Sequence, residues 1–116
     1  LIMYWYMKLA EVKAKIARLN ACQASLTGKQ GEFQSNEPKC KEPELTPTTW
    51  HGTLATAFDD IRESGIRQPY LEIIGTQFSA VFDAIAAKIA ELQAEIVSIQ
   101  ATIDRLLAEE AANNMK

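Results

Sequence analysis

Few side chains in this sequence could do covalent chemistry. The histidine, His51, lies between Trp50 and Gly52 in the run TPTTWHGTLATAFDDIR, and the two cysteines, Cys22 and Cys40, have seventeen residues between them. A structural zinc site needs four ligands, commonly with paired C-x-x-C spacing, and one histidine with two distant thiols cannot supply them from a single chain. No serine or cysteine stands in a nucleophile motif near His51. Asp59 and Asp60 are sequence neighbours, so a helix would turn them about 100° apart and they could not flank one scissile bond. Glycine-rich phosphate loops are absent too. The expectation is a non-enzymatic chain with no catalytic residue, no metal ligand set, no cofactor and no small-molecule substrate. Cys22 and Cys40 read in two ways. They are ordinary thiols or, in an oxidising compartment, a disulfide that ties the end of a first helix to the loop behind it.

The elements around these residues are legible from hydrophobic spacing. At 116 residues the chain is one domain's worth. A formal charge of −3, with acids and bases interspersed, offers no basic field to nucleic acid. The apolar opening LIMYWYM is too short to cross a bilayer and lacks the pattern of a secretory leader, so the expected location is the cytoplasm. Trp5, Leu9, Val12, Ile16, Leu19, Gln23 and Leu26 alternate steps of four and three, a heptad seam that predicts a helix over about 3–28 ending at Thr27-Gly28. Residues 29–47, with three prolines, read as a connector. A short helix is expected over about 48–65, with Leu54, Phe58 and Ile61 on one face. Gly65 and Pro69 then predict a kink or break.

A long helix is expected over about 68–111. Phe78, Phe82, Ile85, Ile89, Leu92, Ile96, Ile99, Ile103 and Leu106 keep the four-three alternation throughout it. Folded back antiparallel, this seam meets the first one, with Leu9 near Ile103 and Ile16 near Ile96. The fold class is therefore all-α: an antiparallel helical hairpin or coiled-coil rod in a single domain. Lys8 and Lys15 against Glu95 and Glu109 would bias its register. Outside the seam, Ala80, Ala87, Ala94, Ala101 and Ala108 recur every seven residues. Alanine is the best helix former, and it also makes a face that another helix can approach closely; the second property makes these five residues a candidate partner face.

The Trp-His-Gly triplet is best read as a corner. Thr46 with Pro47, or Thr49, can cap a helix, Gly52 can turn the backbone, and Trp50 has a large apolar body to bury. Trp50, Gly52, Ala55 and Phe58 stand at a spacing that resembles the WXG family of small helical-hairpin proteins of type VII secretion. The longer stretches YWYMKLAEVKAKIARLNAC, CKEPELTPTTWHGTLATAFDDIRESGI and YLEIIGTQFSAVFDAIAAKIAELQAEI resemble the YwqH-like proteins of Gram-positive bacteria, encoded beside LXG-domain polymorphic toxins. That resemblance implies an adaptor that binds the helical N-terminal LXG region of a toxin and presents it to the secretion machinery, often with a second small helical protein. It also implies that the chain is cytoplasmic or leaves the cell with its cargo. The family's export signal, Y-x-x-x-D/E, is missed at Tyr70, which is followed at that spacing by Ile74. Its loosened aromatic form is met at Phe33 and Glu37. The competing expectation is a coiled coil that pairs with its own copy and carries no cargo.

Overall fold

Gly28 does not end the first helix. A computed structural model of the protein describes residues 1–42 and 52–115, and in it α1 runs without interruption over Ile2–Asn36 and passes into a 3-10 turn at Glu37–Lys41. The reason lies in the seam. Beyond Leu26 its spacing continues through Gln30, Phe33, Glu37 and Cys40, all of them half-buried. Packing along that line outweighs the cost of about 1 kcal/mol for each helical glycine. The expected connector therefore shrinks. Its residues 43–47, and with them residues 48–51 of the expected short helix, lie outside the described residues.

The second arm starts at α2 (Gly52–Arg62) and stays helical through residues 63–114. A π turn at Glu63–Arg67 leads to α3 (Gln68–Glu72), and a second π turn at Ile73–Gln77 leads to α4 (Phe78–Asn114). Where a kink or break was expected at Gly65 and Pro69, the chain stays helical and carries a widened turn. The Gln68 N–H donates to the Glu63 carbonyl, five residues back. Pro69 follows in the first turn of α3, where a missing donor costs least. The inward residues Tyr70, Ile74, Phe78 and Phe82 are four apart, which in an α-helix drifts by about 40° a step. The extra residue of a π turn absorbs that drift.

The chain divides into two compact units. One comprises Leu1–Ala24 with Asp83–Lys116. There Leu9, Val12, Leu92, Ile99 and Ile103 form a buried cluster, with Trp5, Ile16, Leu19 and Ile96 packed against it. Ile85 is buried, and Ile89 and Leu106 are half-buried. The expected cross-arm charge pairs give way to pairs along each helix: Lys8 bonds Glu11 at 3.4 Å and Glu109 bonds Arg105 at 2.9 Å. Such exposed pairs contribute less than about 1 kcal/mol.

The other unit is Ser25–Phe82, and its two arms run antiparallel. Going up the first arm, Gln30, Phe33, Glu37 and Lys41 meet Ile74, Tyr70, Arg67 and Glu63 in turn, each step forward on one arm being a step back on the other. Among the described residues there is no strand, and the fold is all-α in antiparallel helical pairs.

Candidate helix-docking surface

The inner side of the Ser25–Phe82 unit sets polar groups among its aromatic and aliphatic packing, where a coiled coil is ordinarily apolar throughout. Phe78 shows how this begins. Its N–H donates to Ile73 and Gly75 rather than to Ile74, the α-helical acceptor, so the π turn takes the usual donor from the Ile74 carbonyl. Gln30 Nε2 replaces that donor at 2.9 Å. One turn further, the Phe33 ring lies 5.3 Å from Tyr70 and 5.7 Å from Phe78, and the Tyr70 hydroxyl donates to the Phe33 carbonyl at 2.8 Å. Burial is the main cause that pushes the Tyr70 hydroxyl above its usual pKa, followed by the nearby Cys40 and Glu37.

Beyond it stands an ion cluster. Arg67 bonds Glu37 on the first arm and Glu63 Oε1 at 2.7 Å on its own, while Lys41 approaches Glu63 Oε2 at 3.5 Å. Gln68 Nε2 donates to Glu63 Oε1 at 2.7 Å. That amide bond, ahead of Arg67 and Lys41, holds the Glu63 carboxyl below its usual range. The Glu37 and then the Glu63 hydrogen bonds raise the Arg67 guanidinium.

α2 repeats the inversion. Arg62 is buried, with Nη2 2.6 Å from Asp59 Oδ1 and its guanidinium carbon 5.1 Å from the centre of the Phe58 ring. The helix's large apolar residues go to solvent: Leu54 is 67% exposed, Phe58 39%, Ile61 61%, and Ile66 beyond it 49%. At 100° per residue, Leu54, Phe58 and Ile61 fall within about 60° of one another, a continuous apolar flank. That the three share one face follows from their spacing; that Leu54 and Ile61 stand exposed on it does not. The available signal was on the first arm: seam positions filled by Gln30 and Glu37 call for polar partners, which turns the charged side of the second arm inward.

Other expected site residues stand as follows. Trp50 lies outside the described residues, so the corner is represented by Gly52 and Phe58. Gly52 has φ of +53°, the left-handed region that favours glycine, with open space where a Cβ would be. The seam residues Leu9, Val12, Ile16 and Leu19 lie in or against the cluster of the Leu1–Ala24 and Asp83–Lys116 unit, and Leu26 lines a shallow groove of the Ser25–Phe82 unit with Ile73, Phe78 and Val81. Ala80, Ala87, Ala94, Ala101 and Ala108 are all exposed. Of the two readings of the cysteines, the disulfide is not formed: Cys22 and Cys40 are free thiols. It needed a loop to carry Cys40 back, and the intervening residues are helical instead. Phe33 and Glu37, the loosened export signal, are engaged in packing and in the Arg67 ion pair.

Among the described residues no three His, Cys, Asp or Glu side chains gather as metal ligands. Within residues 52–114 a window of mean hydropathy 1.3 is only 11% buried, long and apolar enough by composition to cross a membrane. Residues 6–109 match the family described as YwqH-like. No curated protein and no solved structure matches the chain.

Proposed function

The chain belongs to the YwqH-like family, and on that footing we propose that it is a non-enzymatic adaptor of type VII secretion in the wider WXG group. It binds the helical N-terminal LXG region of a polymorphic toxin in the cytoplasm, with or without a second small helical protein, and promotes the toxin's export. What supports the reading is the family match over residues 6–109, on a chain whose α2 leaves Leu54 67% and Ile61 61% exposed. A stable helical pair ordinarily turns its large apolar residues inward, and in α2 Leu54 and Ile61 face out while Arg62 is buried. The exposed alanines offer further surface for close helix approach.

The test is made in the host. With the chain deleted, the toxin should still be synthesised and should fail to appear outside the cell, and the intact chain in trans should restore export. Undiminished export from the deletion strain would refute the proposal. A cargo-free scaffold is the competing reading, since the seam of α4 keeps its spacing from Ile85 to Leu106. It calls for a stable homodimer whose partner surface is already filled.

A further inference from the structure

We infer that the groove between α1 and α4 lined by Lys15, Arg18, Leu19, Lys88 and Leu92 seats a helix of the partner protein that carries acidic residues beside an apolar ridge. This rests on the adaptor reading and adds to it the place and the chemistry of contact. The lining residues all belong to the unit of Leu1–Ala24 with Asp83–Lys116. They set a cationic rim of Lys15, Arg18 and Lys88 around an aliphatic floor of Leu19 and Leu92, and no carboxylate lines the groove. Among the described residues Lys15 and Arg18 are exposed and make no ion pair, while Lys88 has Glu91 at 3.4 Å on its own helix. Glu11, one turn before Lys15, is bonded to Lys8 at 3.4 Å instead. The rim is therefore short of negative charge, and a carboxylate brought to it relieves the repulsion among its cations. A third helix laid along a helical pair drops its ridge into the groove and sets the residues beside that ridge against the rim. Leu92 is only 3% exposed, so the half-buried Leu19 supplies most of the open floor and charge rather than apolar area selects the occupant. A flat anionic surface fits worse, because α4 exposes Asp83, Glu91, Glu95, Asp104, Glu109 and Glu110 around the groove's one lysine on that helix. A second copy paired about a two-fold axis at the groove would set Lys15, Arg18 and Lys88 against their own kind.

The test uses the whole chain and two synthetic helical peptides with the same leucine ridge, one bordered by glutamate and one by lysine, titrated by fluorescence anisotropy. The glutamate peptide should bind, more weakly as salt rises, and the lysine peptide should not. Lys15→Glu with Arg18→Glu should weaken the glutamate peptide about tenfold or more and admit the lysine peptide, while leaving the thermal melt unchanged because both side chains are exposed. Lys13→Glu with Lys29→Glu makes the same change in net charge at exposed residues that do not line the groove, and should leave the glutamate peptide bound. Equal binding of both peptides to the wild type, or an equal loss from the two double variants, would overturn the inference. So would a wild-type homodimer, or capture by phosphatidylglycerol vesicles, that Lys15→Glu with Arg18→Glu abolishes. The two levels separate cleanly. If a co-expressed toxin complex forms and survives Lys15→Glu with Arg18→Glu, the seat is wrong and the adaptor reading stands. If no complex forms, the adaptor reading fails whatever the peptides do.

Discussion

Gln30 occupies a seam position, where an aliphatic residue would extend the first arm's apolar line, yet its amide is what the second arm requires. The π turn redirects the Phe78 N–H, and the Ile74 carbonyl is then satisfied from across the pair at 2.9 Å. Gln30→Leu fills the same space and withdraws the donor, leaving a carbonyl of a buried residue unpaired. The expected loss is about 1–3 kcal/mol, read as a lower denaturation midpoint at unchanged slope. An unchanged midpoint would mean that water serves that carbonyl equally well. Arg62 makes the complementary point. A guanidinium bonded to Asp59 and lying over Phe58 supports an aromatic ring at the edge of solvent, which an aliphatic side chain would not do by charge.

Elements differ in what holds them. In the unit of Leu1–Ala24 with Asp83–Lys116, α1 and α4 are joined by aliphatic packing, and Ile103 is 0% exposed. Ile103→Ala should cost about 2–5 kcal/mol in chemical denaturation, whereas Val97→Ala on the exposed side should cost less than about 0.5 kcal/mol. The Ser25–Phe82 unit adds an ion cluster to its aromatic packing. Glu63 is held below the ordinary carboxylate value of 4.5, so its contribution is complete above that value and is lost as pH falls through the lower folded value. Acid melts of wild type and Glu63→Gln should therefore differ at neutral pH and converge only once pH has fallen below that lower folded value; curves that stay parallel throughout would remove Glu63 from the account. This contrast also explains what the sequence made readable. Isoleucines and leucines at four-three spacing located α4 and the first part of α1. The same spacing went unseen past Leu26, because Gln30 and Glu37 are not apolar and two glycines stand nearby. The π turns were hidden as well: the four-residue steps of Tyr70, Ile74, Phe78 and Phe82 look like slight irregularity until backbone bonding is known. Which side of α2 faces inward depends on what lies across from it, and Leu54, Phe58 and Ile61 alone do not carry that information.

For the molecule as a whole, the two units are held differently. One is an aliphatic pair, and the other combines aromatic packing with an ion cluster and leaves Leu54 and Ile61 exposed. The central claim is the proposed binding of a toxin's helical region, and light scattering after co-expression of this chain with that region measures it directly. A single co-eluting species with the mass of a fixed-stoichiometry complex is expected. Two proteins eluting separately, with this chain at its own mass, would contradict the account.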